Sequence, residues 1–128
     1  MPKVYKKGDK MDLSKMIQTL KEDPDYPKMG MIASHLGVVR ETSLNGDKVS
    51  GIDVIFDKDA INKIILKIKR MPGVVNVLVE TSGGRLEVGD DIMAVAVGGD
   101  TREHVFPALI EAVDMMKREG ASKKEIRN

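Results

Sequence analysis

The stretch VVNVLVETSGGRLEVGDDIMAVAVGGDTREH, residues 74–104, decides the architecture. VVNVLVE (74–80) and IMAVAVGG (92–99) are short apolar runs of strand length, rich in valine and bounded by glycine turns. Between them TSGG and GDD read as turns and RLEV as a short strand. After Gly99 the apolar period changes to that of a helix. Val105, Leu109, Ala112, Val113 and Met116 fall on one stripe, and Asp100 and Glu103 are spaced as a capping box ahead of it. Pro107 is tolerable in that helix only if the start lies near Arg102 or Glu103, so that its missing N–H falls in or near the first turn.

Upstream, Asn45-Gly46 sits between β-type runs, GMIASHLGVVR and GIDVIF, and predicts a type I′ hairpin joining two antiparallel strands. Gly37 marks a bulge or a close backbone approach. Asp57 is placed as N-cap of a helix carrying Ile61, Ile64, Ile65 and Ile68 at helical spacing, and Pro72-Gly73 ends it. Asp12 and Ser14 precede a short first helix with Met16, Ile17 and Leu20. It ends before DPDYP, whose two prolines predict an extended path. Residues 1–10, rich in lysine, read as a flexible lead-in. The order α-β-β-α-β-β-β-α, without regular βαβ alternation, predicts an α+β domain with mostly antiparallel sheet.

The composition narrows the function classes. The chain has 128 residues, the size of one domain, and a net charge of +1 that gives no general attraction to nucleic acid. With no cysteine and two histidines, thiolate catalysis and most structural zinc sites are excluded, and no metal or other cofactor is implied. Absence of Trp, with two Tyr and two Phe, removes the aromatic platforms on which single-stranded nucleic acids stack, so the terminal cations are a poor basis for a nucleic-acid binder. No run approaches the roughly 20 apolar residues of a membrane span or the pattern of a signal peptide, and a cytoplasmic location is expected.

Several cations are candidates for chemistry. Lys117 follows the apolar stripe of the last helix and can border a pocket; Lys123 and Lys124 lie just beyond, near the end of the same expected helix. A lysine acting as nucleophile or proton donor needs its ordinary pKa of about 10.4 lowered, and neighbouring cations supply that. Against this stands the solvated helix end, where lysines collect beside the negative dipole terminus. Arg102 sits unfavourably at the positive end of its helix. Either Glu103 or another carboxylate compensates it, or an anion binds there with the free N–H groups after Gly98-Gly99. Arg40 and Arg85 are ordinary surface residues by position, His35 a core or interface histidine, and His104 has no obvious partner.

Taken in order, GVVR, the polar hairpin, GRLEVGD, the arginine at a helix start and DxxK followed by KKE resemble the large, catalytic subunit of molybdopterin synthase. The resemblance covers about residues 12–125. It implies an α/β-hammerhead fold across a single domain, residues 11–128, and a homodimer in which each subunit binds a small ubiquitin-like sulfur carrier with a C-terminal Gly-Gly, giving a heterotetramer. It also implies sulfur transfer from the carrier's thiocarboxylate to cyclic pyranopterin monophosphate, forming the dithiolene of molybdopterin. Lys117 is similar to the family's essential lysine, and either Lys124 (ungapped count) or Lys123 (alignment of KKE) to its second. Arg40 and Arg102 match substrate-binding arginines, with Val38, Val39 and Thr101 beside them. The chain departs from the family at His35-Leu36, where a Phe is usual, and at Thr101 and Thr81-Ser82, which stand at histidine and His-Arg positions. It departs again at Ser122, which replaces an aromatic residue. A carrier-binding homodimeric module without turnover is therefore the alternative expectation.

Overall fold

The computed structural model describes residues 3–5 and 11–127. The chain begins with β1 (Lys3–Tyr5), α1 (Leu13–Lys21), a 3₁₀ turn (Tyr26–Lys28), β2 (Met31–Val38), β3 (Val49–Phe56) and α2 (Lys58–Lys69). It continues with β4 (Val74–Ser82), β5 (Gly84–Glu87), β6 (Asp91–Gly99), α3 (Arg102–Met115), a π-turn (Met116–Gly120) and β7 (Ala121–Arg127). The strands form two sheets, ordered β1-β4-β6-β2 and β5-β3-β7, antiparallel throughout except for β1 alongside β4. This is the expected α+β class.

The central strand β6 explains the layering. Met93, Val95 and Val97 point to the face covered by α2 and α3, where Ile61, Ile64, Ile68, Val105, Ala108 and Ala112 complete the main core. Ala94 and Ala96 point to the opposite face, and their small side chains let α1 approach with Met16 and Leu20. Burying each large aliphatic side chain contributes about 1.5–3 kcal/mol, so this double-sided strand anchors the fold. A third cluster, Val39, Val49, Ile52, Val54 and Leu86, lines the inner face of the small sheet.

Helix starts follow the sequence closely. Asp12 and Asp57 cap α1 and α2, accepting from the backbone N–H groups of Lys15 and Ala60. The register of β2 against β6 shifts between Gly37 and Val38, which is the bulge expected at Gly37.

Several expectations are corrected. Asn45-Gly46 does turn the chain, but only Gly46 has positive φ (87°), so the turn is not type I′. Gly46 N–H donates to Ser43 O, and Ser43 N–H to Asp47 O, the pattern of a turn closed by a left-handed glycine. The hairpin also joins nothing for long: past the Thr42–Lys48 bridge its arms part, β2 into the large sheet and β3 into the small one. The DPDYP segment is not extended; Pro27 sits early in the 3₁₀ turn, where its fixed φ and lack of an N–H are tolerated. The third helix begins at Arg102, within the start that Pro107 required, but with Thr101 as N-cap, so the Asp100–Glu103 capping box does not form; Pro107 lies just past the first turn. Finally, the last helix ends in the π-turn and Lys123 and Lys124 belong to a strand, β7, paired with β3. At the other end, β1 falls inside the segment read as a lead-in; the rest of residues 1–10 lies outside the described residues. No helix of the described residues is long and apolar enough to cross a membrane.

Candidate functional site

Lys117 leaves the core through the π-turn. Its predecessors Met115 and Met116 are buried in the main cluster, whereas Lys117, Arg118 and Glu119 are exposed. On β2, Met31 and Ala33 pack against that same cluster, and strand alternation sends His35 to the same side, half-buried. The His35 ring folds over Gly37: a Cβ at Gly37 would stand 3.5 Å from His35 Nε2. Burial, and then the Lys117 charge, push the His35 imidazole below its ordinary pKa of 6.5, so it is neutral at neutral pH. Two residues 82 positions apart are thus near enough at the end of α3 for the charge of one to act on the other.

Arg40 lies just past the same end of β2. Its guanidinium donates from Nε to Thr42 O (2.8 Å) and from Nη2 to Ser43 O (3.0 Å), which ties down the hairpin. Val38 is exposed. Val39 is not available to a ligand: its side chain is buried, its N–H donates to Asp90 O, and its carbonyl accepts from Gly89 N–H. The Val39 side chain packs in the core of the small sheet.

Arg102 and Thr101 lie elsewhere. In the β2–β6 ladder Val38 faces Asp91 and Met31 faces Gly99, so Arg40 follows one end and Arg102 the other. Seven residue steps, about 23 Å at ~3.3 Å each, separate those ends. Within one chain the two arginines cannot close on one small anion. Arg102 Nε sits 3.5 Å from Glu103 Oε1, a highly exposed pair of little energetic weight. The anion-binding reading of Gly98-Gly99 loses support as well. A Cβ at Gly99 would collide with Gly73 O and Val105, and one at Gly98 with Met29, so these glycines permit close packing. The N–H of Thr101 is already bonded to the Asp100 carboxylate (2.6 Å).

That carboxylate also takes His104 Nδ1 at 2.8 Å, giving His104 the partner its sequence position did not suggest. The His104 bond is the chief reason the Asp100 carboxyl is held below its ordinary value. The signal existed in the sequence as i,i+4 spacing across a helix start. The His35–Lys117 approach had no local signal.

Strand β7 separates the two terminal lysines. Lys123 is opposite Val54, whose side chain is buried on the inner face, and Lys124 is opposite Asp53 on the outer face. Asp53 is flanked on its other side by Arg85 of β5, so Lys124 completes a plus-minus-plus row across the small sheet. Val54 also lines a cavity of about 260 Å³ with Phe56, Lys58, Ile61, Thr81 and Gly83. Among the described residues Thr81 Oγ1, buried beside it, has no hydrogen-bond partner.

An α+β chain of two sheets, with a lysine emerging beside a histidine where α3 ends, is the class this geometry defines. The model of the family described as MoaE protein matches residues 7–119, and the chain belongs to that family. An uncharacterized protein of Methanocaldococcus jannaschii is 32% identical over 95 residues, 71% of this chain and 80% of that one. The fold is similar to molybdopterin cofactor biosynthesis protein E of Burkholderia multivorans (28% identity, TM-score 0.75, covering 100% of this chain and 89% of that one). It is also similar to molybdopterin synthase of Staphylococcus aureus (19%, 0.77, 100% and 93%). A third likeness is to the complex of subunits 1 and 2 of the molybdopterin-converting factor of Helicobacter pylori (16%, 0.67, 97% and 88%).

Proposed function

We propose that the chain acts in molybdopterin biosynthesis as the large, catalytic subunit of molybdopterin synthase. It would transfer sulfur from the C-terminal thiocarboxylate of a small ubiquitin-like carrier to cyclic pyranopterin monophosphate. Family membership supports the pathway, and the emergence of Lys117 from the core edge beside His35 and the Arg40 end of β2 is the observation that carries the chemistry. In this reading the Lys117 ammonium orients the carrier's terminal carbonyl, stabilises charge that develops there and assists proton transfer. Arg40 and Arg102 hold the substrate phosphate or pterin edge through charge-assisted hydrogen bonds, with Val38 and Thr101 at the border. Lys123, on the inner face of β7, or Lys124, on the outer, adds positive potential. Arg102 reaches the Lys117 end only from a second copy, which fits a homodimer with one carrier per subunit.

The second reading is a carrier-binding homodimer without turnover. It is favoured by the two bonds that hold Arg40 in its own hairpin and by the Arg102–Glu103 pair, since both arginines must be released to bind substrate. The decisive experiment mixes the protein with thiocarboxylated carrier and the pterin precursor and assays dithiolene product. We expect turnover, and a loss of about 100-fold or more in Lys117→Ala. No product from the wild type, with the carrier still bound, selects the second reading; unchanged product from Lys117→Ala removes Lys117 from the chemistry.

A further inference from the structure

We infer that His35 is the positioning residue of Lys117: its neutral imidazole accepts a hydrogen bond from the ammonium in the loaded site, and protonation of His35 releases it. The inference rests on the reading of Lys117 as the acting lysine, and deepens it by assigning a residue and a pH response.

Three features of the fold converge on His35. Alternation along β2 places it on the face that Met31 and Ala33 press against the main core, beneath α3. The imidazole lies along the strand toward Gly37 and the bulge, with Nε2 3.5 Å from where a Cβ on Gly37 would stand. The π-turn then closes α3, which packs on β2, so that Met116 stays buried and Lys117 is exposed where the helix ends above the far half of that strand. Single π-turns in helices are frequent at functional sites.

The surroundings make Lys117 the charge that matters. Across the ladder His35 faces Val95, and the neighbouring β6 positions Met93, Ala94, Ala96 and Val97 are uncharged. From the second half of α3 and the turn, the charged groups are Asp114, the Glu111–Arg118 pair (3.5 Å), Lys117 and Glu119, with Arg102, Glu103 and His104 at the far end of the helix, and of these Lys117 acts on His35. Beyond the bulge stand Arg40, committed to the carbonyls of Thr42 and Ser43, and Asp91, whose Oδ2 accepts from Met11 N–H.

An imidazole is suited to this task because it offers an acceptor nitrogen without adding a second charge. A full proton transfer from lysine to this histidine is unfavourable, because an ammonium is a much weaker acid than an imidazolium. The pairing is therefore a hydrogen bond and not a proton exchange, and His35 fixes where the ammonium points. Once protonated, His35 loses the acceptor lone pair and repels the ammonium. Sulfur transfer should accordingly fail on the acid side, through the His35 titration.

The test has a structural and a kinetic arm. Imidazole resonances of His35 are titrated by NMR in the wild type and in Lys117→Met. We expect a midpoint below 6.5 that rises when the lysine charge is removed. An unchanged midpoint overturns the inference whatever the activity. In the kinetic arm, kcat and KM for the thiocarboxylated carrier are followed between about pH 5 and 9. His35→Gln retains an acceptor and cannot titrate in this range; it should keep kcat near neutrality within about threefold and lose the acid limb. His35→Phe fills the space without an acceptor and should lower kcat by about tenfold or more at unchanged KM. An acid limb that persists in His35→Gln, or full activity in His35→Phe, overturns the positioning role. If the wild type forms no dithiolene while Lys117→Met still shifts the midpoint, the sulfur-transfer reading fails and the pairing stands.

Discussion

Asp100 has its carboxylate bonded at once to the Thr101 N–H and to the His104 ring at the entrance of α3, and the site holds together only because Gly73 is there. A Cβ on Gly73 would run into both His104 Nδ1 and Asp100 Oδ1, and its φ of 76° is open to glycine at low cost. The Asp100 N–H donates to Gly73 O, which ties the entrance of α3 to the turn between α2 and β4. The sign of its pH dependence follows from the depressed carboxyl pKa. The contribution is complete above the ordinary value of 3.8 and is lost as pH falls through the lower folded value. Asp100→Asn should therefore lower the urea midpoint at neutral pH, and the gap to wild type should close below that window. A gap of the same size in strong acid would show that the residue acts by packing alone. In the sequence Asp100 read as half of a capping box. An aspartate directly before a helix can instead bond the next N–H and a histidine four residues on, and only the close approach of Gly73 decides between the two.

At the scale of elements, legibility depended on how much of each signal was local. The helices α1 and α2 carry their caps and apolar periods in sequence, and β4, β5 and β6 are apolar or glycine-bounded, so all five were readable. The strand β7 was not. ASKKEIR has no alternation, because β7 is an edge strand whose polar residues face solvent on both sides, and lysines following a helix look like its C-terminus. The parting of β2 from β3 was equally hidden, since the turn chemistry at Asn45-Gly46 is local but the choice of sheet is set by distant partners. Strand β7 matters to stability. It supplies the ladder partner of Val49–Phe56, and Ala121 packs against the cluster of Ile52, Val54 and Leu86. A chain ending at Gly120 loses those bonds and uncovers Val54. We expect it to be less stable by about 3 kcal/mol or more, at net hydrogen-bond contributions of about 0.5–1.5 kcal/mol each. Urea unfolding checks this, and an unchanged midpoint would mean that β7 is only laid on the sheet.

At the scale of the whole molecule, the candidate residues were legible one by one and their distribution was not. GVVR, the arginine at a helix start and the DxxK motif can be picked out of the sequence, but nothing local says that a strand's length separates Arg40 from Arg102. His35 and Lys117 illustrate the converse, since no spacing rule links a strand residue to a turn 82 positions later. The split has a consequence for assembly. If Arg40 and Lys117 of one subunit meet Arg102 of another, Lys117→Ala and Arg102→Ala damage different halves of each site. Each homodimer of a single variant is then inactive at both sites. In a mixed dimer of the two variants, one site combines two damaged halves and the other two intact ones. Random reassortment of equal amounts gives about half mixed dimers, each with one of two sites restored, so about a quarter of wild-type activity should return. The assay is dithiolene formation after co-refolding the two variants, with Arg40→Ala in place of Arg102→Ala as control. Arg40 and Lys117 lie at the same end of one chain, so that control pair leaves every site in the mixed dimer damaged and should restore nothing. Equal recovery from both pairs, or none from either, would place Arg102 outside the site that Lys117 serves.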